Sequence, residues 1–153
     1  MKKILSALVI LLSASVMLYA AEEKKQKTPE QYLADLSADS QAEVISAAAD
    51  WAVDKKEKKA IGPLISLLSD TREPVRMSAA VALGYIGDET AVEALNRALL
   101  NDESADVRYA ALLSSVRIGS KKSINAWKQA KEKETDPFIR DFLDKMEKKA
   151  RKK

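Results

Sequence analysis

The sequence predicts an all-α solenoid, in which similar helix pairs stack side by side into a right-handed superhelix. Two observations predict it. A unit of about 32 residues recurs along the chain, and each copy carries apolar residues at helical spacing. The clearest copies are PVRMSAAVALGYIGD (residues 74–88) and DVRYAALLSSVRIGS (residues 106–120). A single helix pair cannot cover its own apolar face, so neighbouring pairs bury it by stacking. We expect about three pairs with capping helices at both ends.

The first twenty residues differ in kind from the rest. Lys2 and Lys3 precede an apolar run at residues 4–21 that ends in small residues, which is the pattern of a secretory signal peptide at residues 1–20. Its removal would lower the formal charge from +3 to +1, so we expect no nucleic-acid partner. The alternative is an uncleaved inner-membrane anchor, because the run approaches the length that spans a bilayer. We expect export to the periplasm.

The elements then follow in order. A charged linker, residues 21–27, leads to a short helix at residues 28–36, where TPEQ has the form of a capping box behind an early proline. Three repeats and one unpaired first helix make up the rest of the repeat domain, residues 28–149: about 39–69, 70–101, 102–134 and 135–149. A basic tail, residues 150–153, ends the chain.

Each repeat reads as two helices. In the central repeat, four apolar residues share one face of the first helix: Val75, Ala79, Leu83 and Ile86. Gly87 can end that helix in the left-handed conformation, and Asp88 or Thr90 can cap the second helix. The first repeat departs from this pattern, because Ile45 stands where the others have arginine, and its turn, DKKEKKAIG, has no glycine at the position that corresponds to Gly87.

The pattern D-x-x-x-P-V-R-x-x-A-A-x-A-L-G-x-I-G-D-x-x-A-V-x-x-L-x-x-A-L at residues 70–99 resembles a HEAT repeat of the short bacterial, PBS-lyase-like type. The resemblance covers about 110 residues. It implies a binding scaffold, and it implies that the recurring arginine pairs with an aspartate near the helix start or in the adjoining repeat. The expected structural ladder is Asp70, Arg76, Asp102, Arg108, Asp136 and Arg140. The alternative is an anion-binding series of guanidinium groups.

Composition argues against catalysis. The chain has no histidine and no cysteine, so the commonest bases, nucleophiles and transition-metal ligands are absent. The acids Asp102, Glu103 and Asp106 do not have the spacing of an EF-hand loop. We therefore expect no enzyme activity, no cofactor and no metal. The resemblance raises a bilin lyase-like enzyme as a remote alternative, but few aromatic residues are present to line a tetrapyrrole site.

The expected binding surface is the concave face, which second helices line in HEAT solenoids. Its predicted contact residues for a protein or peptide partner are Glu93, Asn96, Arg97, Asn125, Lys128 and Gln129. The alternative is an envelope-surface protein whose basic C-terminus binds anionic lipid or polymer through Lys145, Lys148, Lys149, Arg151, Lys152 and Lys153. Self-association through the open solenoid ends is left open.

Overall fold

In the computed structural model, which describes residues 27–150, every regular element is helical. The eight α-helices of this region are α1 Pro29–Asp35, α2 Ala42–Lys55, α3 Ile61–Leu67, α4 Glu73–Ile86, α5 Val92–Asn101, α6 Ala105–Ile118, α7 Ile124–Lys133 and α8 Pro137–Ala150. The predicted signal peptide, nearly all of the linker and the last three residues of the tail lie outside the described residues.

The helices form three repeats, each a pair of helices joined by a short turn: α2–α3, α4–α5 and α6–α7. Helices α1 and α8 lie at the two ends. A short 3₁₀ turn leads into the second helix of each pair. The first helices α2, α4 and α6 pack against one another in sequence, and each second helix packs on the first helix of the next pair. The predicted all-α solenoid of about three pairs with terminal capping helices is confirmed.

The helix ends follow from local chemistry. Thr28 and Gln31 form the predicted capping box, in which each side chain accepts a hydrogen bond from the other residue's backbone N–H. Gly87 ends α4 at φ 81° and Gly119 ends α6 at φ 72°, both in the left-handed region that favours glycine. In the first repeat Lys56 takes this conformation at φ 51°, and its ammonium group donates to the carbonyl oxygen of Tyr85.

The core runs without interruption along the stack because each repeat contributes fully buried side chains between its helices. The largest of them include Ile45, Leu64, Leu83, Leu95 and Leu112. At the N-terminal end, Trp51 occupies the place that alanine fills in the next repeat and stacks on Tyr32 of α1, with ring centroids 4.9 Å apart. Here a short capping helix replaces a full repeat, so a large ring fills the space.

At the other end, α8 closes the stack with an amphipathic face. Ile139 and Leu143 are buried, and Phe138 and Phe142 both meet the ring of Tyr109 edge-on. Lys131 of α7 forms ion pairs with Asp144 and Glu147, which tie α8 to the last second helix. The outer side of α8 is charged, so the described chain ends in a polar surface at this point.

Candidate functional site

The recurring arginine of the first helix ties each repeat to the next one. Arg76 donates from Nε and Nη2 to the two carboxylate oxygens of Asp102, at 2.8 and 3.0 Å. Its Nη1 donates to the carbonyl oxygen of Asp70 at 2.9 Å. Both side chains of the pair are less than a tenth exposed. The hydrogen bonds to Asp102 raise the pKa of Arg76, so this guanidinium is charged at every accessible pH.

Arg108 repeats this geometry with a partner that the sequence prediction missed. Its Nη1 donates to the carbonyl oxygen of Asp102, but its carboxylate partner is Glu134, at 2.7 and 2.8 Å, rather than Asp136. Hydrogen bonding to Arg108 lowers the pKa of Glu134. Asp136 instead accepts hydrogen bonds from the backbone N–H groups of Phe138 and Ile139 and caps α8. The acidic partner lies 26 residues after the arginine in both pairs.

The two ends of the ladder depart from the prediction for the same reason. Each arginine pairs with the acid that opens the following repeat, so Asp70 would need an arginine where the first repeat has Ile45. Arg72 takes that role: it binds both carboxylate oxygens of Asp70 at 2.8 Å and reaches back to the carbonyl oxygen of Ser40. Arg140 is exposed and makes no ion pair within residues 27–150, where no repeat follows α8.

These pairings assign the ladder a stacking role. Arg76 and Arg108 each donate to a carboxylate and to backbone carbonyl groups, so most of their N–H donors are already used within the protein. Asp70 is buried, and its hydrogen bonds from Arg72 lower its pKa from 3.8 to about 2. Each buried pair joins one repeat to the next, and buried ion pairs add little net stability beyond what apolar packing would give.

The second-helix face shows most of the predicted contact residues at the surface. Five of the six are exposed: Glu93, Arg97, Asn125, Lys128 and Gln129. Asn96 is an exception to the prediction, since its side chain is buried against the turn before α7 and Nδ2 donates to the carbonyl oxygen of Lys122 at 3.4 Å. Neighbouring helices cover both flanks of α5, so only a narrow stripe of it, Glu93, Arg97 and Asn101, is exposed, whereas α7 is exposed over a wider face.

A groove lies across the C-terminal ends of the second helices, and Arg97 is the only one of the six predicted contact residues that lines it. Between α3 and α5 it has a volume of about 330 Å3, with Ile65, Leu68, Ala94 and Ala98 as an apolar floor and Arg97 at its edge. Between α5 and α7 a further cavity of about 200 Å3 is lined by residues that include Leu99, Arg108, Lys133 and Glu134. Asn101 and Asp102 line both cavities, so the two are neighbours, and we call them together the second-helix groove.

The opposite face carries an apolar patch that sequence reasoning missed. Met77, Val81 and Tyr85 lie at i, i+4 and i+8 on α4 and are about two-fifths exposed, and Leu113 of α6 is nearly as exposed. The guanidinium of Arg117 lies 3.8 Å from the ring centroid of Tyr85. We call these residues the first-helix patch.

The first-helix patch could have been found by aligning the repeats and comparing the residues at equivalent positions. The positions of Val81 and Tyr85 correspond to Asp50 and Asp54 in the first repeat, so the fold does not require apolar residues there. A cavity of about 340 Å3 separates α2 from α4 on this side, and Asp50 and Val53 help to line it.

Within residues 27–150 no group of three or more acidic side chains is arranged to hold a metal ion. No helix of the described region is long and apolar enough to cross a membrane.

Comparison with known proteins agrees with the architecture. A family model for HEAT repeats matches residues 30–114 and again residues 82–142. No curated protein sequence gives a significant match. The 32-residue period and the helix pairs agree with this match, and the chain belongs to the HEAT-repeat family.

Proposed function

We propose that the protein is an exported, non-catalytic adaptor that binds a protein partner through its second-helix groove. HEAT repeats form helical scaffolds that commonly mediate protein interactions, and this chain has that scaffold. The observation that carries the proposal is a pair of neighbouring cavities that together are lined by residues from all three repeats. Its apolar floor can bury partner side chains, and its exposed polar edge can form hydrogen bonds, which is the usual composition of a non-obligate interface.

The partner test uses the tagged chain from residue 21 to residue 153 and an envelope extract. Alanine at Ser69, Arg97, Asn101 and Lys133 removes four exposed side chains that line the groove, so helicity by circular dichroism should be unchanged while retention of the partner is lost. A matched variant, Val81→Asp with Leu113→Asp, alters the first-helix patch and should retain it. Loss of the partner in the second variant but not in the first would refute the groove as the binding surface.

Export rests on the N-terminal pattern of Lys2, Lys3 and the apolar run that follows. We expect the mature chain to begin at Ala21 and to be released with the periplasmic fraction. Mass spectrometry of the protein purified from its native envelope measures this directly. A chain that retains residues 1–20 in the membrane fraction would replace the exported adaptor by a membrane-anchored one.

A second candidate function uses the basic end of α8. Lys148 and Lys149 are exposed in its last turn, whereas Lys145 already pairs with Asp141. Exposed lysines gain roughly 1 kcal/mol each near an anionic surface, and salt screens that gain. Deletion of residues 150–153 and high salt should both release the protein from vesicles of anionic lipid. Vesicle binding that is insensitive to both changes would exclude this function.

A further inference from the structure

The two acids that line the second-helix groove are already neutralised by buried arginines. Asp102 is bound by Arg76 and Glu134 by Arg108, and the side chains of both acids are less than a tenth exposed. Neither carboxylate therefore offers a free negative charge to a ligand that lies in the groove.

The two exposed cations of the groove have no such partners. Arg97 lines its α3–α5 part and Lys133 its α5–α7 part, and both side chains are exposed. In the part of the chain that the structure describes, neither forms an ion pair. The exposed acids of the same face, Glu93 and Glu132, do not line either cavity. The groove is thus cationic at its surface and neutral beneath it.

Between the two cations lies a side chain that can fix the backbone of an extended ligand. Asn101 lines both cavities and donates from Nδ2 to the carbonyl oxygen of Arg97, which orients its amide. Its exposed Oδ1 has lone pairs for a backbone N–H of the ligand. Apolar surface from Ile65, Leu68 and Ala98 lies on one side of this amide.

We propose, on the basis of the function proposed above, that the groove binds an extended acidic segment of the partner protein. Two carboxylates of the segment face Arg97 and Lys133, and an apolar side chain near the first of them packs on Ile65 and Leu68. Complementary charge of this kind selects against basic segments more strongly than it adds affinity for acidic ones.

Selection from a library of short random peptides, displayed on phage, tests the proposal without knowledge of the partner. Peptides selected by the wild-type protein should contain at least two acidic residues and an apolar one. Synthetic copies should bind about tenfold more weakly to the double variant Arg97→Glu, Lys133→Glu, since two exposed attractive pairs become repulsive. The control double variant Lys59→Glu, Lys121→Glu makes the same change in net charge at turns outside the groove and should leave affinity unchanged.

The possible failures are distinguishable. Neutral or basic peptides that lose binding in the fourfold alanine variant of the groove would overturn the acidic specificity and leave the proposed function standing. Equal weakening in the control variant would also overturn it, because the effect would then report net charge alone. Peptides lost only in Val81→Asp with Leu113→Asp, or no selected peptide at all, would count against both the specificity and the groove.

Discussion

Gly84 lies where α4 and α6 approach most closely. A Cβ atom at this position would come within 2.5 Å of the Cβ of Ser114 and 2.7 Å of its Cα, so the helix backbone itself would have to move. Ser114 has little freedom to yield, because its hydroxyl donates to the carbonyl oxygen of Ala80 at 2.7 Å. The small residue is therefore required by packing rather than by backbone conformation.

Gly84→Ala should lower the free energy of unfolding by about 2 kcal/mol, the usual cost of overpacking, even though alanine favours helix more than glycine does. Gly62 provides the matched control, since a Cβ there meets nothing within 4 Å. Gly62→Ala should be neutral or stabilising. Urea denaturation of both variants measures this, and equal effects at the two positions would contradict the close approach of α4 and α6.

Asp70 makes stability depend on pH in a defined direction. Its pKa falls from 3.8 to about 2 in the folded state because Arg72 donates to it. A lowered folded pKa contributes stability above the unfolded pKa, and this contribution is lost as the pH falls through the folded pKa.

We expect Asp70→Asn to cost roughly 2 kcal/mol at neutral pH. The difference from the wild type should shrink as the pH drops from 3.8 toward about 2. Urea denaturation at a series of pH values measures it, with the exposed Asp54→Asn as control. A cost that stays constant over this range would mean that Arg72 does not hold Asp70 in its charged form.

At the scale of elements, three first helices carry the same arginine in different surroundings. Arg76 is buried in a bidentate pair with Asp102, whereas Arg140 is exposed and has no ion pair among the described residues. Removing one partner of a buried pair leaves an uncompensated charge, but an exposed side chain can be removed almost freely.

Arg76→Ala should therefore cost about 3 kcal/mol of unfolding free energy, against about 0.5 kcal/mol or less for Arg140→Ala. A double-mutant cycle that combines Arg76→Ala with Asp102→Ala measures the coupling energy between these two side chains. Coupling near zero would show that the pair does not hold the two repeats together.

The helices themselves were predictable, because apolar spacing and end signals are local. Thr28 with Gln31, Gly87 and Gly119 lie where the sequence pattern puts the ends of helices. The partner of Arg108 was not predictable from one helix, since Glu134 becomes its neighbour only after a whole repeat folds back. The sequence shows that arginines and acids recur with the repeat. It does not show that each arginine pairs with the acid 26 residues after it.

The candidate site was predicted only in part for a similar reason. The period of apolar residues identifies one buried face of α5, but neighbouring helices also cover its flanks. The prediction that Asn96 lies at the surface was wrong for this reason. The same assumption hid the first-helix patch, whose apolar residues fit the helical pattern of a core but remain partly exposed. Burial by neighbouring repeats is a property of the stack and leaves no signal within one helix.

At the scale of the whole molecule, the two faces of the solenoid offer different chemistry. The second-helix groove joins three repeats under a cationic edge, while the first-helix patch centres on α4 and is apolar. We expect a partner in the groove to contact several repeats at once, so that its affinity depends on how those repeats stack.

Site-specific photo-cross-linking in cells tests this choice of face most directly. A photoreactive residue placed at Ser69 or Asn101 lies in the groove, and one placed at Asp50 or Leu113 lies on or beside the first-helix patch. We expect the same partner protein to be cross-linked from both groove positions and no partner to be cross-linked from the other two. A partner cross-linked only from Asp50 and Leu113 would contradict the account and assign binding to the opposite face.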